Sequence, residues 1–147
     1  MPEAGPDPMT DIIDVVAITQ VLNRYPHAVD QRDWVAFGSI FMADARCDME
    51  AVGLGTTHGL DELVACFDAA SHPVAHHLVD PVVVVDGDTA VVTSKWLVVL
   101  ADRTTLSGEY HDRLVRCPVG WRIQDRAITP RQQGSRHPVG SVPESPS

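Results

Sequence analysis

The sequence of 147 residues has little of what marks several common protein classes. Its three cysteines, Cys47, Cys66 and Cys117, lie far apart without a CxxC or histidine-rich spacing, which argues against a disulfide framework and a structural zinc site. No stretch of about 18 consecutive apolar residues occurs, and the start, "MPEAGPDPMT", lacks the basic and apolar segments of a signal peptide. We therefore expect a soluble, cytoplasmic protein that does not bind a membrane.

Basic residues are also scarce. Lys and Arg total 11 against 20 Asp and Glu, giving a formal net charge of -9, and the basic residues form no cluster. A protein with this charge repels a phosphate backbone or an anionic lipid surface. Nucleic acid is therefore not an expected partner.

The length fits one domain with two terminal tails. Residues 1–9 and 131–147 are rich in Pro, Gly and Ser, a composition that buries too little apolar surface to offset the entropy of ordering. We predict flexible tails there. The domain between them, residues 10–130, is long enough to bury a substantial core.

The hydrophobic pattern of this domain changes once along the chain. From Thr10 to about Ala70 apolar residues recur at helical spacing, which predicts three helices, with Pro26 placed to kink or break the first. A short strand is expected around 46–52. The apolar positions are Ile12, Val15, Val16, Ile18 and Leu22; Trp34, Phe37 and Phe41; and Leu60, Val64 and Phe67.

From about Ala75 onward the pattern is typical of β-structure. Four long strands are separated by the turns "DGD", "DRTT" and "PVG". Helices followed by a meander predict an α+β fold, in which the helices cover one face of a curved antiparallel sheet. A cone-shaped pocket between sheet and helices is the expected result.

Several segments in this order carry a family resemblance. "RYPHAVDQRDW", "IFMADA", "HHLVDPVVVVDGDTAVV", "GEYHDRLVR" and "GWRIQDR" resemble the SnoaL-like group of the NTF2-like superfamily over about residues 10–130. The resemblance implies a cone-shaped curved antiparallel sheet covered by three N-terminal helices, a deep apolar cavity, a homodimer or homotrimer, and no metal or organic cofactor. This superfamily includes scytalone dehydratase, polyketide cyclases, limonene epoxide hydrolase and steroid isomerase, so the fold leaves the reaction open.

The resemblance to scytalone dehydratase also implies a pair of catalytic residues. There an aspartate at the end of the first long helix pairs with a histidine on the sheet, and Asp30 resembles that aspartate. His76 and His77 are both candidates for the histidine, and only one can face the cavity because neighbours on a strand point to opposite sides. The spacing before "DP" favours His76, while His77 remains the alternative and a substrate-binding candidate. An imidazole held by a carboxylate can remove a proton beside a carbonyl.

Both tyrosines, Tyr25 and Tyr110, fall in segments that match the family. A phenol in the cavity could polarise a substrate carbonyl, so we count both as catalytic candidates, with a core role as the alternative. Trp34 and Trp96 are candidates for an apolar cavity wall, although the core is the usual place for such residues.

Two further residues are substrate-binding candidates. Asp112 shares strand parity with Tyr110 and therefore faces the same side, where it orients Tyr110, lines the pocket, or pairs with Arg116 or Arg126 across strands. Met49 stands where scytalone dehydratase has a tyrosine on its first strand.

The combined expectation is a cofactor-independent acid–base enzyme acting on a polyketide-like or cyclic ketone. Dehydration, cyclisation and isomerisation all begin with an enolate, so the sequence does not separate them. No histidine lies between Thr89 and Ala101, which argues against scytalone dehydration itself. The alternatives are a non-catalytic ligand-binding or dimerisation module, and an epoxide hydrolase, which needs an Asp, Arg, Asp set in the cavity.

Overall fold

Six strands form one sheet, and two α-helices pack on it. The computed structural model describes residues 8–132. The elements, in chain order, are α1 (Pro8–Gln31), a 3-10 helix (Val35–Ser39), β1 (Phe41–Met49), a second 3-10 helix (Glu50–Val52), β2 (Gly55–His58), α2 (Leu60–Ala69), β3 (Ala75–Asp86), β4 (Thr89–Val99), β5 (Thr105–Cys117) and β6 (Gly120–Pro130). The fold is α+β, as the sequence predicts.

The strand order in the sheet is β2-β1-β6-β5-β4-β3. The four strands from β3 to β6 form the predicted antiparallel meander with hairpin connections. The sheet is not antiparallel throughout, because β1 lies parallel to β6. The two strands are far apart in sequence, with β2, α2 and the rest of the meander between them. No tight hairpin turn therefore forces them to run antiparallel.

The long helix α1 contains two of the predicted site residues, Tyr25 and Asp30. It continues through Pro26, which was expected to kink or break it, and ends at Gln31. It buries Ile18, Leu22, Tyr25 and Val29. Asp30 therefore lies in the last turn. No helix in residues 8–132 is long and apolar enough to span a membrane.

The prediction of three helices was wrong at the second one. The segment with Trp34, Phe37 and Phe41 forms a 3-10 helix of five residues, and Phe41 begins β1. An apolar spacing of three and four residues fits a helix, but Phe41 instead pairs in register with Ile123 of β6. Long-range strand pairing thus overrides the local pattern, and β1 also begins earlier than the strand predicted at 46–52.

The two predicted tails fall largely outside the described residues. Residues 1–7 and 133–147 are not described, while α1 already begins at Pro8, within the segment predicted to be a tail. At the other end β6 reaches Pro130, the last residue of the predicted domain.

Candidate active site

Asp30 at the end of α1 binds His76 near the start of β3. Oδ1 of Asp30 lies 2.8 Å from Nδ1 of His76. The same carboxylate accepts the backbone N–H of His76, at 3.0 Å to Oδ1 and 3.2 Å to Oδ2. A carboxylate can only accept, so Nδ1 of His76 carries the hydrogen and Nε2 is left with its lone pair. Two contacts to one residue fix the orientation of the imidazole.

The surroundings of His76 keep its ring neutral. Its side chain is 10% exposed, and burial lowers the pKa of His76 below the ordinary 6.5, although the hydrogen bond and charge of Asp30 oppose that shift. Within residues 8–132, Nε2 of His76 has no hydrogen-bond partner. The ring therefore has the properties of a general base with a free nitrogen.

His76 borders an apolar cavity of about 190 Å³ between the helices and the sheet. Aromatic and aliphatic groups make up most of its wall. Lys, Arg, Asp and Glu do not occur among the described residues that line it. The lining residues from the helices and loops are Tyr25, Val29, Val52, Leu54, Phe67, Ala70, Ser71, His72 and Pro73, and those from the strands are His76, Trp96, Val98, Leu106, Tyr110 and Ile128.

Tyr25 and Tyr110 meet on the cavity wall. Their ring centroids are 5.7 Å apart and the rings stand at 82°, an edge-to-face contact. Both residues are only 3% exposed. Burial raises the pKa of both phenols well above 10, so each keeps its hydroxyl proton and is able to donate a hydrogen bond.

A buried ion pair contacts these tyrosines. Arg126 donates Nε to Oδ1 of Asp112 at 2.7 Å and Nη2 to Oδ2 at 2.9 Å, and both side chains are fully buried. The guanidinium lies 4.4 Å from the ring centroid of Tyr25 and 4.0 Å from that of Tyr110. Of the roles considered for Asp112, the structure shows the cross-strand pair with Arg126. Neither Asp112 nor Arg126 is among the described residues that line the cavity.

His72, for which the sequence predicts no role, lines the cavity beside His76. Its ring centroid is 6.0 Å from that of His76. It lies in the loop after α2, and Nε2 is 2.5 Å from the carbonyl oxygen of Phe67 in the last turn of that helix. The one sequence feature that could have indicated this role is the position of His72, three residues after the end of α2 and shortly before "HH".

Four predicted substrate-binding residues have different placements. Trp96 lines the cavity. Met49 is fully buried in the core on β1, away from the lining set. Trp34 packs edge to face against Phe37 and donates Nε1 to Asp68 at 3.1 Å instead of reaching the cavity. His77 is exposed, because it points to the opposite side of β3 from His76.

No cluster of three or more His, Cys, Asp or Glu side chains within residues 8–132 is arranged to hold a metal ion. Each cysteine is a free thiol, and burial raises the pKa of Cys47 to about 12. The imidazole and phenol groups that line the cavity belong to His72, His76, Tyr25 and Tyr110.

Comparison with solved structures identifies the fold. An NTF2-like protein with a cystatin-like fold from Novosphingobium aromaticivorans aligns with a TM-score of 0.76 and 24% identity over 90% of this chain and 94% of that one. A candidate scytalone dehydratase from the same organism aligns with a TM-score of 0.71 and 17% identity over 93% of this chain and 98% of that one. The hub of a CaMKII from S. rosetta aligns with a TM-score of 0.68 and 25% identity over 87% of this chain and 98% of that one.

Sequence comparison identifies the family. An uncharacterised protein of Mycobacterium tuberculosis and one of Mycobacterium bovis are each 34% identical over 133 residues, covering 82% of this chain and 88% of the relative. Residues 10–127 match the model of the SnoaL-like domain. With this match and the shared NTF2-like fold, the chain belongs to the SnoaL-like family.

Proposed function

We propose that this protein is a cofactor-independent lyase or isomerase that removes a proton beside the carbonyl of a small cyclic ketone. His76 is the general base, and Asp30 orients its ring and stabilises the imidazolium that forms. Tyr25 or Tyr110 donates a hydrogen bond to the carbonyl oxygen as it becomes an enolate. The observation that carries the proposal is the 2.8 Å contact between Asp30 and Nδ1 of His76 at the edge of an apolar cavity.

The protonation states support this assignment. A neutral imidazole is needed to accept a proton, and the lowered pKa of His76 keeps it neutral near pH 7. A phenol stabilises an enolate only while it holds its own proton, and the raised pKa of Tyr110 preserves that proton. The likeness to a candidate scytalone dehydratase points to the same class of chemistry.

The cavity also supports a class of substrate. A cavity of about 150 Å³ is known to hold benzene, so about 190 Å³ accommodates one ring or two small fused rings. The described lining has no charged side chain of the Lys, Arg, Asp or Glu type to pair with a charged substrate. A neutral, largely planar ketone is therefore the best match, in keeping with the aromatic walls.

Exchange of hydrogen for deuterium tests the proposal without knowledge of the natural substrate. The probe is 2-tetralone in D₂O, and NMR follows deuterium uptake at the carbons beside its carbonyl. We expect the protein to accelerate uptake and His76→Ala to lower the rate by about a hundredfold. The matched control is His77→Ala, one residue away on the exposed side, which should change the rate by less than about threefold.

Two results would overturn the assignment. Loss of exchange in His77→Ala with retention in His76→Ala would transfer the role to His77. Exchange by the wild-type protein no faster than that in imidazole buffer would remove the enzymatic proposal altogether.

A binding or assembly module is the second candidate, since the fold is shared with a CaMKII hub. A module of that kind would bind 2-tetralone or assemble without accelerating exchange. Sedimentation of the same samples would then show the oligomer while the exchange rate stayed at the buffer value.

A further inference from the structure

We infer that His72 is a second catalytic residue, the general acid that protonates the leaving oxygen when the substrate is a β-hydroxy ketone. The inference rests on the proposed function of His76 and deepens it, because it assigns the reaction to elimination of water. Its basis is the position of a second imidazole on the cavity wall, next to the base and held by a hydrogen bond of its own.

The hydrogen bond of His72 determines which nitrogen is available. The carbonyl oxygen of Phe67 can only accept, so Nε2 of His72 must donate to it. Nδ1 is then the atom that gains or gives a proton, and within residues 8–132 it has no hydrogen-bond partner. The acceptor belongs to the last turn of α2, where carbonyls lack partners inside the helix, so the hydrogen bond from His72 also satisfies one of these carbonyls.

The packing around His72 holds its ring in place. Phe67 meets it edge to face at a centroid distance of 5.6 Å, and the ring centroid of Trp34 lies 5.9 Å away. The ring centroid of His76 lies 6.0 Å away. Two imidazoles at this separation can each reach a neighbouring atom of one small molecule, given contacts of about 2.6–3.2 Å for proton transfer.

The elimination balances with these two groups. Nε2 of His76 takes the proton from the carbon beside the carbonyl, and the electron pair of that C–H bond forms the new C=C bond. The C–O bond at the next carbon breaks, its electron pair stays on oxygen, and Nδ1 of His72 gives that oxygen a proton so that water leaves. His76 then holds one extra proton and His72 lacks one. Transfer from His76 to His72, directly or through solvent, restores the starting state without any oxidant or reductant.

The leaving group distinguishes an acid from a merely structural residue. A hydroxyl group needs a proton to leave, whereas chloride leaves as an anion. The two substrates are 4-hydroxy-2-tetralone and 4-chloro-2-tetralone, both of which give 2-naphthol, followed by its fluorescence after subtraction of the buffer rate. The variant is His72→Gln, whose amide can still donate to the Phe67 carbonyl but cannot supply a proton.

We expect His72→Gln to lower the rate with the hydroxyl substrate by about a hundredfold and to change the rate with the chloride by less than about threefold. Deuterium uptake by 2-tetralone should also be retained in His72→Gln. His58→Gln, an exposed histidine on β2, is the matched control and should leave all three rates unchanged.

Failure of this inference differs from failure of the proposed function. Equal loss with both leaving groups, or no loss with the hydroxyl, would overturn the role of His72 while wild-type exchange upheld that of His76. A wild-type protein that eliminates chloride but not water would also overturn it. Absence of wild-type exchange would instead refute the base and the acid together.

Discussion

Gly108 lies opposite Trp96 across β5 and β4, and the indole of Trp96 fills the space that a side chain at position 108 would occupy. The indole is fixed there because Nε1 of Trp96 donates to the carbonyl of Thr129 at 3.1 Å. Trp96 is also part of the cavity wall. The absence of a side chain at one strand position therefore determines where an aromatic wall of the site lies.

The first prediction concerns Gly108→Ala. A Cβ at this position would overlap the indole of Trp96 and the carbonyl of Thr129, and the backbone carbonyl cannot give way cheaply. We expect the free energy of unfolding to fall by about 3 kcal/mol, the cost of overpacking. Urea denaturation followed by tryptophan fluorescence measures it.

Gly38→Ala is the matched control for that substitution. A Cβ at Gly38 meets nothing within 4 Å, so the free energy of unfolding should change by less than about 1 kcal/mol. Equal effects of the two substitutions would show that Trp96 does not need the space at Gly108.

The second prediction concerns the titration of His76. Burial disfavours the imidazolium, so the pKa of His76 lies below 6.5 and the basic form is lost only as the pH falls through that lower value. Asp30 raises the pKa, while His72 and His77 lower it. Asp30→Asn should therefore move the midpoint to a still lower pH. NMR of the His76 ring proton on Cε1 follows both midpoints.

Asp33→Asn controls for the loss of one negative charge from the same region. Asp33 lies in the turn after α1 and accepts from the backbone of Ala36, not from His76. Its replacement should leave the His76 midpoint close to the wild-type value. A midpoint that rises in Asp30→Asn would mean that the carboxylate does not stabilise the imidazolium.

The third prediction concerns the ion pair of Arg126 with Asp112. Arg126→Met leaves a carboxylate buried without its partner, and we expect the free energy of unfolding to fall by about 3–5 kcal/mol. The double variant Arg126→Met with Asp112→Leu removes both charges and should be more stable than Arg126→Met alone. Urea denaturation at pH 7 measures the series.

A neighbouring exposed pair provides the comparison. Arg113 and Asp125 join the same two strands at 3.2 Å, but their side chains are 47% and 40% exposed. Arg113→Met should cost less than about 1 kcal/mol, because solvent screens the pair. Comparable losses in Arg113→Met and Arg126→Met would contradict burial as the cause.

The order of the elements and the α+β class were accessible from the sequence because they follow from local patterns. Alternation of apolar residues and short turn motifs predict the meander from β3 to β6, and helical spacing predicts α1 and α2. The segment from Trp34 to Phe41 shows the limit of this reasoning. Its spacing fits a helix, yet the pairing of Phe41 with Ile123, 82 positions later in the chain, places it at the start of a strand.

The candidate site shows the same division. The resemblance and strand alternation singled out Asp30 and His76, and alternation alone required that His76 and His77 face opposite ways. Neither the resemblance nor strand alternation identified His72, because a histidine in a loop belongs to no periodic pattern from which the direction of its side chain could be predicted. Only the end of α2, which supplies the Phe67 carbonyl, and the start of β3 bring His72 to the cavity.

The sequence by itself determined α1, α2, the meander from β3 to β6 and the α+β class, because hydrophobic period and turn chemistry act over a few residues. The order of its motifs indicated the family. The tertiary structure decided which polar groups meet: Asp30 with His76, Asp112 with Arg126 in place of Arg116, and His72 with both the helix end and the cavity. These contacts depend on the register of the strands and on how the helices pack on the sheet. Both are determined by the burial of apolar surface over the whole domain.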